Sequence, residues 1–198
     1  MLGEMNGRPY HHGSLRSALL AEAERTLREQ GIEQLSLRDL ARQAGVSHAA
    51  PRRHFADRQA LLDALAEAGF LRLGDEVRAA TDAAGDDYEA RLRAAATAWI
   101  RFATQDAALF ELMNAVKRGP HSQAVDDAFG RLFTTFDGLI RQGQQGGELQ
   151  PGDPDRVRLL VFAAVQGVAA LVTSGSVDAG QTDELIADTV ALFVRRPG

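Results

Sequence analysis

Apolar residues recur along the chain with a period near 3.6, and no stretch sustains the alternation of a half-buried strand. Leu15, Ala18, Leu19, Ala23 and Leu27 form the stripe of a first helix, which Ser14 can cap and Gly31 can end. Ser36 can cap a second, with Asp39 three residues on as a capping-box-like partner, and that helix stops at Gly45. Ser47 can open a third that ends near His54 or Phe55, and Asp57 a fourth that runs toward residue 80. The polar stretch "TDAAGDD" (81–87) then separates these from further helices over about 88–104, 108–116, 122–142, 154–173 and 182–195. The pattern predicts about nine helices and no sheet: an all-α protein.

The stretch "LRDLARQAGVSHAAPRRHF" (37–55) is one amphipathic pattern cut by Gly45, Val46 and Ser47. Gly45 can take a positive φ at little cost, so one helix can end and another begin within a few residues. Val46 can plug the angle between them. This is the pattern of a helix-turn-helix unit, whose second helix enters the major groove of DNA. Within a reader of Ser47 to His54, His48, Ala49 and Arg52 would face base edges or the groove wall, and Arg53 and His54 could meet phosphates or pack sideways. Ser36 and Arg38, with Arg58 opening the fourth helix, sit at helix starts, where N–H groups favour a phosphate. With Ser47 as the cap, Pro51 falls in the first turn and costs at most about one hydrogen bond. The competing reading of the same residues is a plain helical hairpin with solvated arginines.

Charge changes this picture slightly. The net charge is −5, but residues 1–60 hold nine arginines against seven acids (+2), and the rest thirteen Lys and Arg against twenty acids (−7). A mildly basic head on an acidic body suits contact with a polyanion through the head alone. The chain has no cysteine, which excludes a disulfide scaffold, a thiol nucleophile and thiolate metal ligation, and agrees with a cytoplasmic protein. The longest candidate apolar run, "LLVFAAVQGVAALV" (159–172), is shorter than a membrane span and carries Gln166 and Gly167. "MLGEMNGRPYHHGS" lacks the core of a signal peptide and reads as a flexible arm.

Nothing points to an enzyme. His11 and His12 are adjacent and would diverge on a helix, and no zinc-protease, nucleophile-elbow or phosphate-loop motif occurs. The pairs Asp86–Asp87 and Asp126–Asp127 lie in polar surroundings and read as solvated. No cofactor or metal site is expected.

"SLRDLARQAGVSHAAPRRHFADRQALLDAL" strongly resembles the DNA-binding region of TetR-type bacterial transcriptional regulators, with "YHHGSLRSALL" similar to the first helix of one branch. The likeness is dense over residues 10–73 and weaker beyond, although "FAAVQGVAALVTSG" (162–175) is similar to that branch's penultimate helix. Val165 and Gln166 stand there where Trp and His are common, and Arg52 stands where the family usually has a tyrosine that meets a phosphate. Arginine can make a phosphate contact or a paired contact to guanine. The resemblance implies an N-terminal arm and three-helix DNA-binding domain (1–57) and a C-terminal ligand-binding and dimerisation domain (58–198). It also implies a homodimer through the last two helices, a palindromic double-stranded operator, and a small-molecule effector that modulates a repressor.

The effector's candidate contacts are Trp99, Phe102, Phe110, Met113, Phe129, Phe133 and Phe162, with Asn114 and Gln166 as polar residues in mainly apolar helices. Together with Phe136 these aromatic and apolar side chains fall on separate helices, and simple core filling is the competing reading. A helical carrier that never meets DNA is the rival function.

Overall fold

The computed structural model describes residues 12–195. The chain divides into two compact units, one ending at Leu65 and the other beginning at Ala66. Among the described residues there are eight α-helices and no strand. They are α1 His12–Gln30, α2 Leu37–Gln43, α3 Arg58–Ala83, α4 Tyr88–Gln105, α5 Ala107–Arg118, α6 Gln123–Gln145, α7 Pro154–Thr173 and α8 Thr182–Ala191. Of the nine helices expected, the missing one is the segment from Ser47 to His54. Of the proposed N-terminal arm (1–14), residues 1–11, with His11, lie outside the described residues, and the last three are a correction: they belong to α1.

Capping side chains set the start of four helices. Ser36 Oγ accepts from Asp39 N (3.1 Å) and donates to Asp39 Oδ2 (2.6 Å), so both side chains hold the start of α2. Asp57 accepts from Ala60 N at the head of α3, and Asp87 from Ala90 N at the head of α4. Asp153 does the same for Asp155 N, with Pro154 in the first turn of α7. Ser14 is a correction: α1 already runs from His12, so Ser14 lies inside the helix rather than before it.

In the first unit α1 packs on α2, and Leu19, Ala23, Leu27, Leu35, Leu40, Ala41 and Phe55 are buried. Leu15 is half-buried and Ala18 is exposed, so the inward stripe of α1 is narrower than the pattern suggested. The guanidinium of Arg16 lies over the Phe55 ring, 5.4 Å from its centroid.

In the second unit α4 is the central helix: it packs on α5, α6, α7 and α8, and α7 packs on α6 and α8. Tyr88, Leu92, Ala95, Ala96, Trp99, Phe102 and Ala103 give α4 its buried faces. Tyr88 sits against Gly143 of α6, where a Cβ would lie 2.3 Å from the ring and hydroxyl. Its Oη is buried without a hydrogen bond, and burial pushes the phenol well above its ordinary pKa. Gly143→Ala tests this contact. Helix propensity alone would favour alanine by about 1 kcal/mol. Overpacking against a rigid ring costs about 1–3 kcal/mol. A melting point lowered by about 2–4 °C is the expected result.

The connection between α5 and α6 is held by an ionic cluster. Asp126 accepts from Lys117 and lies 3.1 Å from His121 Nε2, while His121 Nδ1 is 2.7 Å from Gly119 O. The hydrogen bond to Asp126 raises the His121 pKa, and the bond from Lys117 lowers that of Asp126. The histidine's contribution to stability is full below its unfolded value of 6.5 and fades as pH rises through the raised folded value. That of Asp126 is present above 3.8 and fades as pH falls through its lowered value. His121→Gln should therefore lower the melting point most between 3.8 and 6.5 and progressively less in alkali; a penalty independent of pH would contradict the pairing.

Candidate nucleic-acid interface and effector cavity

The turn after α2 is built as the sequence requires. Gly45 has φ +65, Gly45 N donates to Arg42 O (3.2 Å) and Val46 N to Ala41 O (3.0 Å). This double closure follows a left-handed glycine at a helix end and satisfies two of its free carbonyls. Val46 is half-buried beside the joint.

Beyond it the chain turns outward without forming an α-helix. Ser47 to Ala50 make a turn closed by Ala50 N to Ser47 O (2.9 Å), and Pro51–Arg53 form a single 3-10 turn. The reason is Pro51. It has no N–H for the carbonyl of Ser47, and its ring crowds that carbonyl in α geometry. Bonds to the third residue back take over: Arg53 N to Ala50 O at 3.2 Å and His54 N to Pro51 O at 2.9 Å. The expectation that Pro51 would be absorbed into a short α-helix is thus corrected.

This geometry anchors one side of the segment and leaves the other open. Pro51 and Phe55 are buried, whereas Ser47, His48, Ala49, Arg52 and Arg53 are exposed and His54 is half-buried. Among the described residues neither Arg52 nor Arg53 has an ion-pair partner. Arg38 is likewise exposed on the first turn of α2. Two expected contacts are otherwise engaged. The Ser36 hydroxyl is occupied by Asp39. Arg58 donates from Nε to Leu35 O (3.0 Å) and from Nη2 to Ile32 O (2.7 Å), so its guanidinium braces the turn that leads into α2.

In the second unit the aromatic residues converge, which core filling and a ligand site would both require. Trp99 meets Phe110, Phe133, Phe136 and Phe162 edge-on, with centroids 5.7, 6.4, 5.8 and 5.1 Å away. Phe129 packs on Phe133 (4.6 Å) and on Phe70 (5.3 Å), and Phe102 lies 6.4 Å from Phe110. Gln166 accepts from Trp99 Nε1 (2.8 Å), which explains a polar residue at that point of an apolar helix. Met113 is buried against Gly69, and Asn114 is half-buried.

Of these residues, Trp99, Phe133 and Phe162 line a cavity of about 20 Å³ together with Leu92, Phe136, Ile140, Arg158, Val161 and Val165. It has room for about one water molecule. Sequence reasoning missed Arg158, which lies above the Phe133 ring at 5.4 Å with Nε 2.8 Å from Asp137 Oδ1. The period of α7 marks position 158 as half-buried but carries no sign of the aromatic ring beneath it.

Family models match a stretch of each unit. Residues 19–65 match the family model described as bacterial regulatory proteins, tetR family, and residues 92–193 match the tetracyclin repressor-like C-terminal domain. No curated protein matches the chain. A protein of unknown function from Rhodococcus sp. RHA1 is similar at 42% identity and a TM-score of 0.87, over 96% of this chain and 100% of that one. The TetR family transcriptional regulator PfmR from Thermus thermophilus shares the fold at 21% identity (TM-score 0.68; 90% and 99% of the chains). A TetR family transcription regulator from Marinobacter aquaeolei does so at 18% (TM-score 0.73; 93% and 97%).

Proposed function

The chain belongs to the tetR family of bacterial regulatory proteins, and on that premise we propose that it is a repressor that binds a palindromic operator as a homodimer and is modulated by a small molecule. We assign residues 1–57 to operator binding and 58–198 to effector binding and dimerisation.

The observation that carries the operator reading is the exposed pair Arg52 and Arg53 on a segment whose other side is fastened by Pro51 and Phe55. Fixed placement with uncommitted guanidinium groups is what recognition of a base edge and a phosphate requires. His48, Ala49 and Ser47 complete the surface, and Arg38 adds a phosphate contact from α2. Selection of bound duplexes from a random pool tests the reading. A palindrome with half-sites about one DNA turn, roughly 34–36 Å, apart is the expected product; an unenriched pool would sink it.

Support for the homodimer comes from α7. This helix has a mean hydropathy of 1.6 over its most apolar window, yet only 22% of that window is buried in the protomer. By length and composition it could cross a membrane, which the length of the candidate apolar run did not reveal. Leu159 (61%), Leu160 (54%) and Leu171 (45%) are exposed on it, and Leu192 (73%) just beyond α8. A second copy would cover this face. The exposed residues of α8 itself include Asp183, Glu184 and Asp188, so α7 supplies most of the apolar area.

Effector control is read as a shift between two states, limited by the ligand's preference for one of them. Helix α3 belongs to both units and is the element whose position an effector among α4, α6 and α7 would bias.

A further inference from the structure

We propose that the effector is an apolar molecule with one carboxylate, and that Arg158 receives that carboxylate while the rings around Trp99 take the hydrocarbon. This rests on the reading of the second unit as an effector domain and names the chemistry of its ligand.

Among the described residues, Arg158 is the only charged one that lines the void among α4, α6 and α7; the other walls are hydrocarbon and aromatic. Its Nε is buried and makes no hydrogen bond. Asp137 Oδ1 is 2.8 Å from that nitrogen but out of line with its N–H, and Asp155 Oδ1 is 3.6 Å from Nη2. The guanidinium is thus neutralised without being satisfied, which suits exchange for a better-aligned carboxylate. Trp99 Nε1 is taken by Gln166, so it offers no competing donor. A cationic ligand would be repelled by Arg158, and a neutral oxygen could accept from its N–H but without the strength of a charge-assisted bond.

Neither void as it stands holds a hydrocarbon body, so binding requires the rings between two adjacent voids to part. A second, smaller void of about 10 Å³ shares Leu92, Phe136, Val161 and Val165 with the first and continues to Thr189 on α8. Thr189 donates its hydroxyl to Leu185 O (2.7 Å), so that end presents no free donor. Phe136 is half-buried and lines both voids. Swinging it off the edge of Trp99 would join them into one slot that is charged at the Arg158 end and apolar at the other.

The full chain can report its own occupancy, because Trp99 is its only tryptophan. Octanoate and 1-octanol, equal in length and differing in the head group, would be titrated by calorimetry and by Trp99 emission. Octanoate is expected to bind about tenfold or more tightly than octanol. Arg158→Gln should abolish most of that preference by weakening octanoate far more than octanol. Asp137→Asn, which removes the competing carboxylate, should tighten octanoate binding; a merely structural ion pair would not give this rise. Equal binding of the two probes, no response of Trp99 to either, or no gain from Asp137→Asn would overturn the proposal. Operator binding on the same preparations separates the cases. Specific DNA binding with silent probes sinks the ligand chemistry alone, whereas loss of specific DNA binding in the native protein sinks the regulator reading.

Discussion

Replacing Arg52 and Arg53 together with alanine should lower operator affinity by about a thousandfold while leaving the melting point unchanged. Each arginine stands for one charge-assisted contact of at least about 1 kcal/mol. A dimer presents four of them, and about 1.4 kcal/mol corresponds to a factor of ten. Stability should hold because both side chains are exposed and neither has an ion-pair partner among the described residues. The single variants divide the roles. Arg53→Ala should weaken all sequences alike and reduce the salt dependence by about 0.9 for each phosphate the protein no longer neutralises. Arg52→Ala should also relax the preference at one operator position. Gel-shift titrations at two or three salt concentrations measure all of this, and an unchanged affinity in the double variant would remove the basis for placing the segment in the groove.

The position of this segment was legible because local chemistry dictates it. Gly45 is the residue that accepts φ +65, and the closure onto Arg42 and Ala41 needs only the backbone around it. Ser36 and Asp57 are readable for the same reason, since each cap and the N–H it accepts from are three residues apart; Asp87 does the same for α4 but was read only as a solvated carboxylate. The form of the segment was less legible. Pro51 was expected to sit harmlessly in a first turn, but at the fourth residue after Ser47 it deprives the Ser47 carbonyl of its α partner, and 3-10 bonding prevails.

What escaped the sequence depends on partners far along the chain. Arg58 looked like a phosphate clamp, yet it reaches back to carbonyls at Leu35 and Ile32. The aromatic residues of α4, α5, α6 and α7 converge, but a helical period shows only which side faces inward. Whether a void remains between the rings depends on how the helices slide past one another. That is why the sequence offered Trp99, Phe133 and Phe162 as inward-facing residues without their contacts, and gave no sign of Arg158 beside Phe133.

Substituting glutamate for Leu160 and Leu171 should turn a dimer into a monomer and reduce affinity for the palindrome to that for a half-site, a loss of about 10²–10⁴-fold. Eleven residues are three turns of an α-helix within about 20°, so the two leucines share one face, with Gly167 exposed between them. Burying each leucine side chain is worth about 1.5–3 kcal/mol, and a twofold interface counts each twice. Glutamates there would also bring like charges together across the axis. Both positions are exposed in the isolated protomer, so the helical spectrum of the variant should match that of the native protein. Sedimentation reads the assembly state, and titration against full and half operators reads the affinity. A variant that stays dimeric would move the interface off α7. A monomer that still binds the palindrome at native strength would show that each subunit reads DNA alone, and that a paired operator adds nothing to recognition.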